Sequence, residues 1–245
     1  MAVAACFICW PGIVAAQVAG EFYLEKQVYA RGEPVFVYFQ AVNKGLTAEK
    51  LYSADPNGDC SAFYITVSND RPRPSCPRAI SCMSGAIVLR PGEKHVERVL
   101  LNLGHKLDSP GEYMVKAELA GRYGLGSSIT AEPATLHFRV DQHVAQREVF
   151  QPLLDQLQSG DLIKRIEAAR ALASVAPPFL EDTLLTFADD PHLRTFAALA
   201  FYRLNTPKSM TALAQLRDKT APGTFEHWQA DAYLSHDECA DDLWH

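Results

Sequence analysis

Hydrophobic and polar residues alternate with a period of two through the first half of the chain. Val35, Val37 and Phe39 interleave with Phe36, Tyr38 and Gln40, and Phe63, Ile65 and Val67 with Ala62, Tyr64 and Thr66. The alternation returns at Tyr113, Val115, Ala117 and Leu119, and again at Ala134, Leu136, Phe138 and Val140. Successive side chains of a strand point to opposite faces, so each run predicts one face in a core and one towards water. Turn formers separate the runs at Arg31-Gly32-Glu33-Pro34, Asp55-Pro56-Asn57-Gly58, Arg90-Pro91-Gly92-Glu93 and Ser109-Pro110-Gly111-Glu112. About seven short strands in roughly 120 residues predict an antiparallel β-sandwich.

From about Gln146 the period becomes helical. Val149, Leu153, Leu154 and Leu157 share a face, followed by Ile163, Ile166, Ala169, Ala171 and Leu172. Phe179, Leu180, Leu184, Leu185 and Phe187 predict a third helix, and Leu193, Phe196, Ala197, Leu199, Ala200 and Leu204 a fourth. Breakers and caps fall between them at Ser159-Gly160-Asp161, Pro177-Pro178, Asp189-Asp190-Pro191, Thr206-Pro207 and Pro222-Gly223. The segment Ile163–Leu172 aligns with Leu193–Tyr202 and, less closely, with Phe225–Leu234. A period of about 30 residues built from helix pairs predicts an α-solenoid. Ala168, Ala198 and Ala230 occupy matching positions, where small side chains allow close helix stacking. The fold class is therefore α+β in two domains, with a sandwich over 17–142 and helical repeats over 143–245.

Charge divides the same way. The 245 residues carry a net charge of −6. Residues 1–142 are balanced, so the whole excess of acid falls on the helical half. This argues against nucleic acid as a partner, since phosphate binding needs a cationic face. The composition, 48% hydrophobic and 21% charged, is that of a globular chain. No apolar run after the N-terminus is long enough to span a bilayer.

Two resemblances follow from particular residues. Tyr29-Ala30-Arg31-Gly32-Glu33-Pro34-Val35 resembles the Y-x-x-G-E-P-V entry of bacterial immunoglobulin-like and macroglobulin-like domains. Leu89-Arg90-Pro91-Gly92-Glu93 and Pro110-Gly111-Glu112-Tyr113 resemble later turns of such domains. That resemblance implies an adhesive, structural or linking module and carries over no catalytic residue. The helical half resembles HEAT repeats, with Asp161 and Asp190 at the turn position and Arg165 and Arg170 in the second helix. Ala200 stands where a repeat of Arg170 would fall, a departure from the usual Asp–Arg ladder. The HEAT resemblance implies a protein partner bound along one surface, with Lys164, Arg165, Arg194 and Arg203 as candidate contacts.

The N-terminus reads as an export label. Ala2 to Ala16 are small and apolar, and Val14-Ala15-Ala16 before Gln17 fits signal-peptidase cleavage, although no Lys or Arg precedes the run. A signal peptide over 1–16 implies a periplasmic or extracellular protein. In an oxidising compartment Cys60, Cys76 and Cys82 predict one disulfide, its pairing open. Their spacing is not that of a zinc site. Arg71, Arg73 and Arg78 alternate with Pro72, Pro74 and Pro77 in the same loop, a second candidate contact for a partner.

No nucleophile motif, phosphate loop, HExxH or EF-hand spacing occurs. The terminal cluster of His236, Asp237, Glu238, Cys239, Asp241, Asp242 and His245 holds metal-ligating types, but the expectation is a solvated acidic tail without metal. His227 and Trp228 read as packing residues. The sequence thus predicts an exported, non-enzymatic binding or scaffold protein without cofactor. Its rivals are a protease inhibitor or sensor acting through loop 70–82, and a metal-dependent enzyme.

Overall fold

Among the described residues ten strands and seven α-helices occur, and all the helices but one follow the last strand. The structure is a computed structural model and describes residues 17–54, 63–68, 84–119 and 129–235. The strands are β1 (Val18–Leu24), β2 (Val28–Arg31), β3 (Phe36–Asn43), β4 (Glu49–Ala54), β5 (Phe63–Val67), β6 (Ser84–Leu89), β7 (Lys94–Leu100), β8 (Gly111–Leu119), β9 (Ile129–Thr130) and β10 (Ala134–Val144). One sheet has the order β7-β3-β1-β9, the other β2-β10-β8-β5, and β4 pairs with β6 alone. Phe22 and Phe39 from the first sheet share one buried core with Tyr29, Phe63, Tyr113 and Phe138 from the second. Phe63 meets Phe22 edge-on at 5.6 Å and lies 5.1 Å from Phe39, so aromatic rings join the two sheets. The period-two expectation holds on β3, where Val37 and Phe39 are buried and Phe36 and Tyr38 are not.

Two details differ from the expected antiparallel sandwich of about seven strands. Residues 18–31 split into β1 and β2, which lie in different sheets. Consequently β2 runs parallel to β10, and β9 runs parallel to β1, while the other pairings are antiparallel. The turn after β2 is held by Glu33, which accepts the Ala30 N–H at 2.9 Å and pairs with Lys26. Gly32 supplies its left-handed backbone at φ 82°. At the far end of β3, buried Asn43 donates to the carbonyls of Thr47 and Leu89, both at 2.8 Å, and accepts from the Gly45 N–H. One amide thereby ties the main sheet to the β4–β6 ribbon.

The helices are α1 (Leu101–Gly104), α2 (Arg147–Leu157), α3 (Leu162–Val175), α4 (Glu181–Leu185), α5 (Arg194–Leu204), α6 (Pro207–Lys219) and α7 (Phe225–Leu234). Helices α2/α3, α4/α5 and α6/α7 pack as pairs, and α5 touches both α3 and α7. Asp161 caps α3 by accepting from the N–H groups of Ile163 and Lys164, and Thr206 caps α6 in a reciprocal box with Ser209. Ala168, Ala198 and Ala230 are all fully buried, as their matching positions predict. The apolar run 179–187 does not make one helix: α4 is a short segment between the 3-10 turns Pro178–Leu180 and Thr186–Ala188. Leu184 and Phe187, both buried, are three residues apart, which suits a tighter turn. Trp228 is 53% exposed and so is not the packing residue expected. His227 is tied down, its ring Nδ1 donating to the Arg217 carbonyl at 2.9 Å.

The two cores meet along a seam. Leu100, Leu103 and Ala145 are buried in the helical core rather than in that of the sandwich, and Ala30 and Phe36 pack against it.

Candidate functional site

With no ligand-binding chemistry dictated by motif, the site question becomes which face of the helix pairs is open. The sandwich occupies one side. Arg98 on β7 pairs with Glu167 on α3. Arg203 on α5 donates to the carbonyl of Ser174 at the end of α3 at 2.6 Å and reaches that of Leu103 in α1 at 3.4 Å. Helix α1 itself packs on α3. These bonds join segments far apart in sequence, and a guanidinium with several fixed donors suits that task.

The candidate partner contacts fall into different environments. Arg165 pairs with Asp190, linking α3 to the turn before α5. Arg194 Nε donates to the Ala188 carbonyl at 3.0 Å and braces the turn after α4. Arg203 stitches the seam. Only Lys164 stands mostly in solvent, 4.0 Å from Asp161. Arg71, Arg73, Arg78, Cys60, Cys76 and Cys82 lie outside the described residues, as do the N-terminal segment 1–16 and the terminal His236–His245 cluster. Among the described residues no group of His, Cys, Asp or Glu is arranged to hold a metal ion, and no helix is long and apolar enough to cross a membrane.

The Asp190 carboxyl is held below the usual carboxylate range, first by the His192 N–H that it accepts and then by the Arg165 guanidinium. A group whose folded pKa is depressed stabilises the fold above its unfolded pKa and loses that contribution as pH falls through the folded value. Asp190→Asn is therefore expected to lower the thermal midpoint at neutral pH. The gap from the parent protein should close in strong acid. Melting curves by circular dichroism across that pH range check this; a gap independent of pH would contradict it.

A groove of about 600 Å³ runs along α6, its other wall formed by the end of α4, the turn at Ala188–Asp189 and Arg194 at the start of α5. Apolar Leu185, Ala188, Ala212 and Leu216 line it together with Arg194, Lys208, Lys219 and Asp189. Lys208 pairs with exposed Asp182 across the two helices, and Thr206 bonds Glu181 nearby. That pairing holds the Asp182 carboxyl below its ordinary range and the Lys208 ammonium above its own. Sequence reasoning missed Lys208 and Lys219, because a lysine in an amphipathic pattern looks the same whether it faces water or lines a groove. The positions of α4 and α6 as first helices of successive pairs were the available signal.

Residues 150–230 match the family model for HEAT repeats. No curated protein matches the chain. Among solved structures, the CARDB domain of a Pyrococcus furiosus protein in complex with di-metal ions is 10% identical, with a TM-score of 0.29, covering 53% of this chain and 96% of that one. A D270A β-glucosidase from Listeria innocua in complex with laminaribiose is 14% identical, with a TM-score of 0.28, over 54% of this chain and 17% of that one. Likenesses this distant carry nothing about ligand or activity. The chain is thus a two-sheet β-sandwich followed by helix pairs, of which residues 150–230 match HEAT repeats.

Proposed function

We propose that this is an exported, non-enzymatic binding or scaffold protein that engages a protein partner through its helix pairs. The observation that carries the reading is the match of 150–230 to HEAT repeats, together with three helix pairs whose second helices lie side by side. Repeated pairs give an extended surface with no single catalytic cleft, the form suited to holding another protein. We read the pairs as a short solenoid and the sandwich as an immunoglobulin-like module that closes one side of it. Export rests on the small apolar run 2–16 and its Val14-Ala15-Ala16 ending.

Chemical cross-linking of the full chain to proteins of a cell-envelope extract, read by mass spectrometry, tests the reading. Cross-links from Lys164, Lys208 and Lys219 to a partner are expected to outnumber those from Lys50 and Lys94 on the sandwich. A partner held only through sandwich lysines, or no partner at all, would overturn it.

A further inference from the structure

We propose that the groove between α4 and α6 is the docking site for an acidic peptide segment of a partner protein, one that presents carboxylates around a single apolar anchor. The proposal rests on the scaffold reading above and names the surface and the chemistry that reading leaves open. The sandwich covers parts of α3 and α5 through Arg98, Arg203 and α1, so those second helices are not free along their length. Helices α4 and α6 touch each other, and the groove beside them holds about 600 Å³, room for a few side chains.

Its charge points to the occupant. The helical half carries the entire acidic excess of the chain, yet this groove is lined by Arg194, Lys208 and Lys219 against the single acid Asp189. A local cationic site in an acidic domain selects for carboxylates by complementarity and rejects cationic partners. Arg194 is held in place through Nε by the Ala188 carbonyl, which fixes the direction of its remaining donors. Lys219 has no ion-pair partner among the described residues. Among the described residues Lys208 pairs with Asp182, an exposed contact that an incoming carboxylate can replace at little cost. The same lining includes apolar Leu185, Ala188, Ala212 and Leu216, which supply a surface for an anchor side chain.

The test is fluorescence anisotropy on the full chain with a labelled short peptide rich in Glu and Asp around a central leucine. The control peptide carries Gln and Asn in place of the acids. Saturable binding of the acidic peptide alone is expected, weakening as salt is raised. Lys219→Glu is exposed and should fold normally; it is expected to weaken binding about tenfold, as is Arg194→Gln, while Lys94→Glu on β7 leaves it unchanged. Equal binding of both peptides, no binding, or indifference to Lys219→Glu would overturn the proposal. So would sedimentation showing a dimer that Lys219→Glu dissolves, which would give the groove to a second copy of the chain. The two readings fail separately. If envelope partners still cross-link to the helix pairs of Lys219→Glu as well as to the parent, the groove assignment falls and the scaffold reading stands. If no partner is held by the parent, the scaffold reading falls with it.

Discussion

Phe201→Ala is expected to lower the melting temperature by roughly 10 °C, and to bring down strands and helices in one transition. Phe201 lies fully buried on α5, the helix of the middle pair that packs against α3, α6 and α7. Truncating a buried phenylalanine costs about 3–5 kcal/mol in lost transfer energy and residual cavity. For a chain of this size each kcal/mol moves the midpoint by roughly 2–4 °C. The single transition follows from the seam. Leu100, Leu103 and Ala145 belong by sequence to the sandwich and its exit, yet they are buried in the helical core. Melting the helices strips those side chains of their cover and also removes the partners of Arg98 and Leu103. Far-ultraviolet and near-ultraviolet circular dichroism should therefore report the same midpoint in the parent and in the variant. Phe225→Ala, at a ring already 42% exposed, serves as the comparison and should shift the midpoint far less. Two separate transitions, only one of them moved by Phe201→Ala, would show that the seam does not couple the domains.

The second large effect is expected at Gly20. A Cβ placed there would lie 2.4 Å from Cζ of Phe39 and 3.2 Å from the Ala131 side chain. Phe39 cannot swing aside without cost, because its ring is fully buried between Phe22 at 4.8 Å and Phe63 at 5.1 Å. Overfilling a packed core typically costs 1–3 kcal/mol and sometimes more, so Gly20→Val should destabilise the sandwich by about 3 kcal/mol. Urea unfolding checks this through a lower midpoint at unchanged slope. Because the clash is with one ring, Phe39→Leu in the same chain should recover part of the loss, a non-additivity that only contacting residues show. An additive double variant would mean that Gly20 is needed for some other reason.

Much of this architecture is legible in the residue pattern. Buried Val35, Val37 and Phe39 follow from alternation, and fully buried Ala168, Ala198 and Ala230 follow from their repeat positions. The Asp161 cap and the Thr206-Pro207 start are local chemistry and need no tertiary context. What the pattern hides is long-range. Strand alternation fixes which face a residue takes but not which neighbour its strand finds, so the parallel β2–β10 and β1–β9 pairs were out of reach. The split of 178–188 into 3-10 and α segments depends on how the chain fits between two prolines and the Asp190 turn. The roles of the arginines were hidden for the same reason. Arg165 and Arg203 look like surface cations in sequence, and only the fold brings Asp190 to the first and the Leu103 and Ser174 carbonyls to the second. The groove formed by α4 and α6 depends on that same packing of successive pairs.

The seam also has a consequence for synthesis. Translation is vectorial, and domains generally fold from the N-terminus as they emerge. The strands through β10 precede α3 and α5 along the chain and emerge before them. Until those helices arrive, Leu100, Leu103 and Ala145 have nothing to lie against. Whichever compartment the chain folds in, a sandwich that forms first leaves this apolar strip uncovered until about 60 further residues have followed it. The early half thus reaches its final cover last, when α5 docks and Arg203 closes over Leu103.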